Sequence, residues 1–172
     1  MADVRLETHS TLTPIEAWNA LWDLRAHDQI IPLTRVRGRA LAAPHECAQA
    51  LDVGARFVAR TGWGPFVLDD PMEILRWEPP VVDPDGRSST GLAVIVKRGR
   101  WVRGRIEATV SPHETGPYGS GSTVTWVQTL AVAGMPRCAD PMTGAVGRAA
   151  YGAVLRRLLE RRSTAGSAMP GH

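Results

Sequence analysis

The order of the predicted secondary-structure elements is the strongest constraint on the fold of this chain. A strand comes first, two short helices follow, residues 36–133 carry only strand patterns, and a single long helix comes last. A sheet formed almost entirely before its only long helix must bury one face under that helix. The sequence therefore predicts an α+β domain. If the helix presents small side chains to the sheet, the space between them is available for an internal pocket.

The start of the chain predicts one strand and two helices. Residues 4–9 alternate apolar and polar side chains, which is typical of a half-buried strand. Thr13 then predicts an N-cap, Pro14 fits the first helical position, and Glu16 completes a capping box. Residues 24–31 predict a second short helix that ends before a proline.

The middle of the chain predicts six further strands joined by turns and polar loops. Their approximate ranges are 36–40, 55–60, 66–77, 92–97, 101–111 and 122–133. Residues 42–52 read mostly as a loop, and residues 78–90 and 112–120 as polar surface loops. Asp69–Pro71 could offer paired carboxylates, but the proline favours a bulge or break in the strand at this point.

The last helix is predicted from Asp140 as its cap and Pro141 at its first position, and it runs to about Arg162. Residues 163–172 are polar and predict a mobile tail. Three glycines interrupt the helix and allow either a close helix–sheet contact or a void beneath it: Gly144, Gly147 and Gly152.

Composition favours one cytoplasmic domain over residues 1–162. The chain has 172 residues, of which 44% are hydrophobic and 22% charged, with a formal net charge of +3. This charge is spread along the chain and only weakly favours an anionic partner. Cys47 and Cys138 lie far apart without metal-ligand spacing, which suits reduced thiols, although a disulfide between them is possible. No signal peptide or membrane-spanning run is present in the sequence, so membrane insertion is not expected.

Several short strings resemble those of one known superfamily. They are Pro14–Trp18 with Leu21–Asp23, Leu51–Phe57, Val124–Trp126 with Leu130, and Met135–Arg137 with Asp140–Pro141. In this order they resemble the START/Bet v1-like superfamily (SRPBCC), also called the polyketide cyclase/dehydrase and lipid transport group. The lead into the last helix resembles actinobacterial members. The resemblance covers about residues 3–162.

The resemblance implies a helix-grip fold. In this fold a curved seven-stranded antiparallel sheet wraps around a long C-terminal helix, two short helices follow strand 1, and an apolar cavity lies between sheet and helix. Members bind lipids, sterols, polyketides or other hydrophobic molecules, and some catalyse cyclisation or dehydration. No cofactor is implied. Gln128 is a departure, because many relatives carry a glutamate there, and any acid–base role of that carboxylate would be absent here.

The candidate ligand-binding residues are those expected to face the cavity, and most of them are aromatic or aliphatic. They are Trp18, Trp22, Trp63, Phe66, Met72, Ile74, Val94, Trp126, Gln128, Tyr151, Val154, Leu155 and Leu158. Aromatic residues at helix and strand spacing are equally compatible with a plain core. Gln128 would be a polar group in an apolar wall, bonded either to a ligand or to a backbone group or buried water.

Two functional hypotheses use this cavity. The first is a binding protein for one small hydrophobic molecule, with Gln128 or Tyr151 fixing its orientation. The alternative is a cyclase or dehydratase, which needs an inward ionisable group, and Arg76 and Tyr151 are the candidates. A third possibility is an interaction protein with a vestigial cavity that forms a homodimer or binds another partner through its sheet.

Other site classes are not supported by the sequence. The histidines lack zinc-ligand spacing, so no metal site is expected, and neither a nucleophile elbow nor a phosphate-binding glycine loop is present. Alternating arginines on predicted strands suggest phosphate contacts or, more simply, a solvated outer sheet surface. These residues are Arg35, Arg37, Arg39, Arg103 and Arg105. A nucleic-acid partner is not expected, because no aromatic–basic binding string occurs.

Overall fold

The structure is a computed structural model that describes residues 1–31, 33–38, 51–63, 66–114 and 120–167. Its strands are β1 (Ala2–Ser10), β2 (Thr34–Gly38), β3 (Arg56–Trp63), β4 (Phe66–Glu78), β5 (Gly91–Arg98), β6 (Val102–Glu114) and β7 (Ser120–Val132). Its α-helices are α1 (Pro14–Leu21), α2 (Leu24–Ile30) and α3 (Asp140–Ser167), with a short 3₁₀ helix at Arg137–Ala139. The predicted loop over residues 42–52 lies mostly outside the described residues.

The seven strands form one antiparallel sheet in the order β1-β7-β6-β5-β4-β3-β2. The first strand thus pairs with the last, and the others follow as neighbouring hairpins. This curved sheet, with two short helices after β1 and one long helix at the C-terminal end, confirms the predicted α+β helix-grip architecture.

The local signals at the first helix act as the sequence predicts. The backbone N–H of Glu16 donates to Thr13 Oγ1 at 3.3 Å, and the N–H of Thr13 donates to Glu16 Oε2 at 3.0 Å. Pro14 occupies the first turn. The carboxylate of Asp23 accepts from the backbone N–H groups of Arg25 and Ala26 and so caps α2 in the same way.

Strand β4 differs from the prediction in the place of its irregularity. The bulge lies between Ile74 and Arg76, whereas Pro71 lies within the strand opposite Val58. Pairing with β5 begins at Met72, one residue after Pro71, so β5 requires no N–H from this proline. Because a bulge inserts one extra residue, it reverses which side chains of β4 point inward beyond it.

Helix α3 is longer at its C-terminal end than predicted. It continues to Ser167 instead of ending near Arg162, so residues 163–167 are helical and only 168–172 lie outside the described residues. At its other end, Asp140 Oδ2 accepts a 2.7 Å bond from the amino group of Met1.

The glycines of α3 allow close contact with β1, and not a void. A Cβ added at Gly147 would lie 2.9 Å from Val4 Cγ2, and one at Gly144 would lie 3.3 Å from the carbonyl oxygen of Asp3. At Gly152 the nearest atom, Leu6 Cδ2, would be 3.7 Å away. Of the two alternatives that the glycines left open, the structure has the close contact at Gly144 and Gly147, whereas a Cβ at Gly152 would fit in ordinary van der Waals contact.

Candidate functional site

The inward face of the sheet is defined by its register. Val4, Gln128, Ile106 and Ile95 are successive cross-strand partners, and all four are buried. Since directly opposed residues lie on the same face of a sheet, they form one inward row. The alternation predicted for β7 is confirmed: Val124, Trp126, Gln128 and Leu130 are buried.

Five aromatic side chains from four elements meet on this inward face, and we call them the aromatic cluster: Trp18, Trp22, Trp77, Trp126 and Tyr151. The rings of Trp18, Trp22 and Trp77 make mutual edge contacts with centroids 4.9–5.8 Å apart. Trp126 lies 6.2 Å from Trp22 and stacks on Tyr151 at 6.0 Å. One set of rings thereby joins helix α1, strands β4 and β7, and helix α3.

A chain of hydrogen bonds passes through the aromatic cluster. The indole Nε1 of Trp126 donates to Gln128 Oε1 at 3.0 Å, and Gln128 Nε2 donates to the hydroxyl of Tyr151 at 3.1 Å. Gln128 is fully buried. Its amide is therefore held by two side chains, and the predicted alternatives of a backbone or ligand partner are replaced by these side-chain partners.

One polar atom of the aromatic cluster is left without a partner. The indole Nε1 of Trp22 is buried, and no acceptor lies within hydrogen-bond distance among the residues that the structure describes. Leaving a buried donor unpaired costs about 1–3 kcal/mol, and such groups are rare in native proteins. Meanwhile Tyr151 and Trp77 are only half-buried. The aromatic cluster thus combines unburied apolar surface with an unused donor.

The structure brings most of the predicted site residues to the inward face. Trp18, Trp22, Trp126, Gln128 and Tyr151 meet in or beside the aromatic cluster. Ile74 and Leu155 belong to the buried core that contains the three tryptophans, and Met72 packs against it. Leu158 is buried and Val154 is half-buried, but neither belongs to that core. Trp63 and Phe66 pair at the β3–β4 hairpin, but their side chains lie outside what the structure describes.

Val94 was predicted to face the cavity, and the register of β5 places it on the other face of the sheet. Its cross-strand partners are Arg76 on β4 and Glu107 on β6, both exposed. Val94 therefore lies on the outer face of the sheet. Arg76 shares that face, and a 2.7 Å hydrogen bond from its Nε to Glu78 raises the pKa of Arg76 above its ordinary value. Arg76 is thus wrong as an inward acid–base candidate, because the bulge in β4 reverses the phase of its side chains.

Sequence reasoning missed an ion pair on the inward face. Lys97 Nζ contacts Asp70 Oδ2, and the two side chains are only 4% and 14% exposed. Lys97 Nζ also lies 3.9 Å from Met72 Sδ, whereas Asp70 Oδ1 is buried and has no partner among the described residues. The inward position of Lys97 could have been predicted, because Lys97 follows Ala93 and Ile95 at the two-residue spacing of one strand face. No local pattern indicated that its partner would be Asp70.

Open grooves among the described residues include two that contain neither Trp126 nor Tyr151. The larger, of about 520 Å³, lies on the outer face of β2–β4, where Arg37, Val58 and Pro71 are successive cross-strand partners. The smaller, of about 340 Å³, lies between α2 and α3.

Within the described ranges, no three His, Cys, Asp or Glu side chains come together as metal ligands would. None of the helices in those ranges has the length and apolar character needed to cross a membrane.

Comparisons with known proteins support the fold. No protein-family model matches the chain, and no curated protein matches it. Solved structures do match at low identity. The protein TTHA0849 from Thermus thermophilus is 14% identical, with a TM-score of 0.61 and with 95% of this chain and 98% of that chain covered. The Zhui aromatase/cyclase from Streptomyces sp. R1128 is 15% identical, with a TM-score of 0.58 and coverages of 99% and 98%.

Ara h 8.0201 is 12% identical, with a TM-score of 0.50 and coverages of 92% and 97%. At such identities the likeness concerns the fold alone. Together with the sheet order and the placement of α3, it shows that this chain has the helix-grip fold of START/Bet v1-like proteins.

Proposed function

We propose that this protein binds a small hydrophobic molecule, of lipid, polyketide or aromatic type, against the aromatic cluster between the sheet and α3. The observation that carries the proposal is the buried, unpaired indole N–H of Trp22 inside the aromatic cluster. An acceptor atom on a ligand would remove the cost of that unpaired donor. The proposal also agrees with the fold that this chain shares with an aromatase/cyclase.

Apolar burial supplies the driving force in this proposal. Tyr151 and Trp77 retain accessible surface although they belong to the inward face. Each 100 Å² of apolar surface that a ligand removes from water contributes about 2.5 kcal/mol. The small-residue face of α3 offers the ligand no space at Gly144 and Gly147, because both glycines are already in close contact with β1.

The proposal is tested by screening fatty acids, sterols and polycyclic aromatic ketones for saturable binding. Isothermal titration calorimetry gives the stoichiometry, and thermal unfolding gives an independent readout. A ligand present at a hundred times its Kd should stabilise the folded protein by about 2.7 kcal/mol. We expect one site per chain for at least one of these classes.

A pair of variants on one helix locates the site. Val154→Trp adds a large ring at a half-buried position three residues after Tyr151 on α3, and it should abolish binding. Val146→Trp adds the same ring at a position that is 64% exposed and should leave binding unchanged. Equal binding by both variants would place the ligand elsewhere, and no saturable binding by the unmodified protein would refute the proposal.

The alternative is an enzyme of the cyclase or dehydratase kind that acts on the same inward face, and the ion pair of Lys97 and Asp70 favours it. In an aldol-type cyclisation, the Asp70 carboxylate can take a proton from the carbon beside one carbonyl. A carbon–carbon bond then forms to a second carbonyl, whose oxygen gains a proton from Lys97. Return of the proton from Asp70 to Lys97 restores the pair.

Asp70→Asn tests the alternative, because an amide cannot take that proton. Under the enzyme hypothesis, this variant should lose cyclisation of a linear poly-β-ketone, followed by chromatography, while its affinity for the chain persists. Equal conversion by the variant and the unmodified protein would refute acid–base catalysis by this pair.

A further inference from the structure

We infer that the ligand of the aromatic cluster is recognised through a hydrogen-bond acceptor, a carbonyl oxygen of ketone or ester type, that binds the hydroxyl of Tyr151. This inference rests on the proposed function and specifies the polarity of the molecule that would bind. It follows from the directions of the hydrogen bonds around Gln128.

The first step is the orientation of the Gln128 amide. An indole N–H can donate a hydrogen bond but cannot accept one. Nε1 of Trp126 lies 3.0 Å from one end of the buried amide, so that end must be the oxygen. The amide nitrogen therefore points the other way, towards α3. Trp126 thus excludes the flipped amide, in which two donors would face each other.

The second step is the direction of the bond to Tyr151. Gln128 Nε2 can only donate, so the 3.1 Å contact makes the Tyr151 oxygen the acceptor. The hydroxyl proton of Tyr151 must then point away from Gln128. Across residues 1–31, 33–38, 51–63, 66–114 and 120–167, the structure gives that hydroxyl no second hydrogen bond. Gln128 is therefore a positioning residue that leaves Tyr151 with a free donor.

The third step concerns the buried polar group of the aromatic cluster that has no partner. The indole N–H of Trp22 is also a donor, and it too has no partner among the described residues. The free function of Tyr151 and the buried, unpaired atom of Trp22 are thus both donors. A ligand with a carbonyl oxygen satisfies a donor, whereas a hydrocarbon leaves both donors unpaired.

The experiment compares matched probes that differ only in the acceptor. 2-Acetylnaphthalene and 2-ethylnaphthalene share an aromatic skeleton, and 2-tridecanone and tridecane share an aliphatic one. Their Kd values are measured by isothermal titration calorimetry with the full chain. A net hydrogen bond of ordinary strength makes the ketone about fivefold tighter than its hydrocarbon partner.

Three variants assign that difference to the proposed donors. Tyr151→Phe keeps the ring but removes the hydroxyl, so the ketone should lose most of its advantage while the hydrocarbon keeps its Kd. Trp22→Phe should reduce the advantage only where the ligand also reaches the indole. Trp101→Phe is the matched tryptophan control, because Trp101 is 52% exposed, and it should change neither Kd.

Gln128→Glu separates positioning from a merely structural role. At pH 9, an ionised carboxylate accepts from both Trp126 and Tyr151, so the tyrosine hydroxyl turns towards Glu and its proton is no longer free. The ketone should then lose its advantage although Tyr151 is still present, and the hydrocarbon should still bind. Retention of the full ketone preference in this variant and in Tyr151→Phe would overturn the inference.

The results for the unmodified protein separate this inference from the proposed function. Equal Kd values for ketone and hydrocarbon in both pairs would overturn the inference and leave hydrophobic binding intact. Absence of saturable binding for all four probes and for the fatty acids and sterols would refute the proposed function, and the inference with it.

Discussion

The ion pair of Lys97 and Asp70 leads to the sharpest stability prediction. Lys97→Met keeps a straight apolar side chain but leaves the Asp70 carboxylate with neither oxygen paired, because Oδ1 already has no partner among the described residues. Removing one partner of a buried pair costs about 3–5 kcal/mol, since a buried charge remains without compensation. For a chain of this length, that corresponds to a fall in Tm of roughly 6–20 °C.

The double variant and a neighbouring pair provide the controls. Lys97→Met combined with Asp70→Leu removes both charges, so the free energy of unfolding should return to near that of the unmodified protein or exceed it. Arg60 and Asp69 form a pair next to this one at 3.4 Å, but their side chains are 50% and 56% exposed. Arg60→Met should therefore cost at most about 1 kcal/mol.

Urea unfolding, followed by tryptophan fluorescence and circular dichroism, measures all four proteins. The predicted loss of stability depends on a strong coupling between the two buried charges. It would be refuted if Lys97→Met cost no more than Arg60→Met, or if the double variant were less stable than the Lys97→Met variant.

Two further predictions concern packing and pH. Gly91→Ala should destabilise the protein by about 1–3 kcal/mol, because the added Cβ would lie 2.6 Å from Pro80 Cδ and 2.9 Å from Trp18 Cε3. An unchanged urea midpoint and an unchanged near-ultraviolet spectrum would contradict this prediction. Burial lowers the pKa of His27, and this effect outweighs the opposing effect of its hydrogen bond to the carbonyl of Asp23. The His27 side chain therefore binds fewer protons in the folded chain than in the unfolded chain. The free energy of unfolding should fall as the pH drops from about 6.5 towards the lower folded pKa, and His27→Gln should weaken that fall relative to the unmodified protein.

The start of the first helix and the alternation of β7 could be predicted because their causes are local. Thr13 and Glu16 are three residues apart, and their reciprocal bonds form within one helical turn. The burial of Trp126 and Gln128 follows from the two-residue period of a strand that is buried on one face. Signals of this range can be recognised without knowing what lies opposite them.

The inward side of β4 could not be predicted in the same way. Its bulge lies between Ile74 and Arg76, where the sequence has no proline. The irregularity was predicted at Pro71, but that proline lies before the pairing with β5 begins. The bulge turns Arg76 outward and brings Trp77 into the aromatic cluster. One inserted residue thus decides the faces of both Arg76 and Trp77, because every side chain after it changes face.

The sequence by itself determined the order of the elements, the caps of the first helix and the apolar face of the last strand, because each depends on residues close together in the chain. Tertiary structure alone decided that Lys97 meets Asp70, that Gln128 lies between Trp126 and Tyr151, and that the glycines of α3 contact β1. These contacts join residues brought together by strand register and helix docking. Whether a glycine covers a void or a neighbour depends on the surface opposite, which no local pattern specifies.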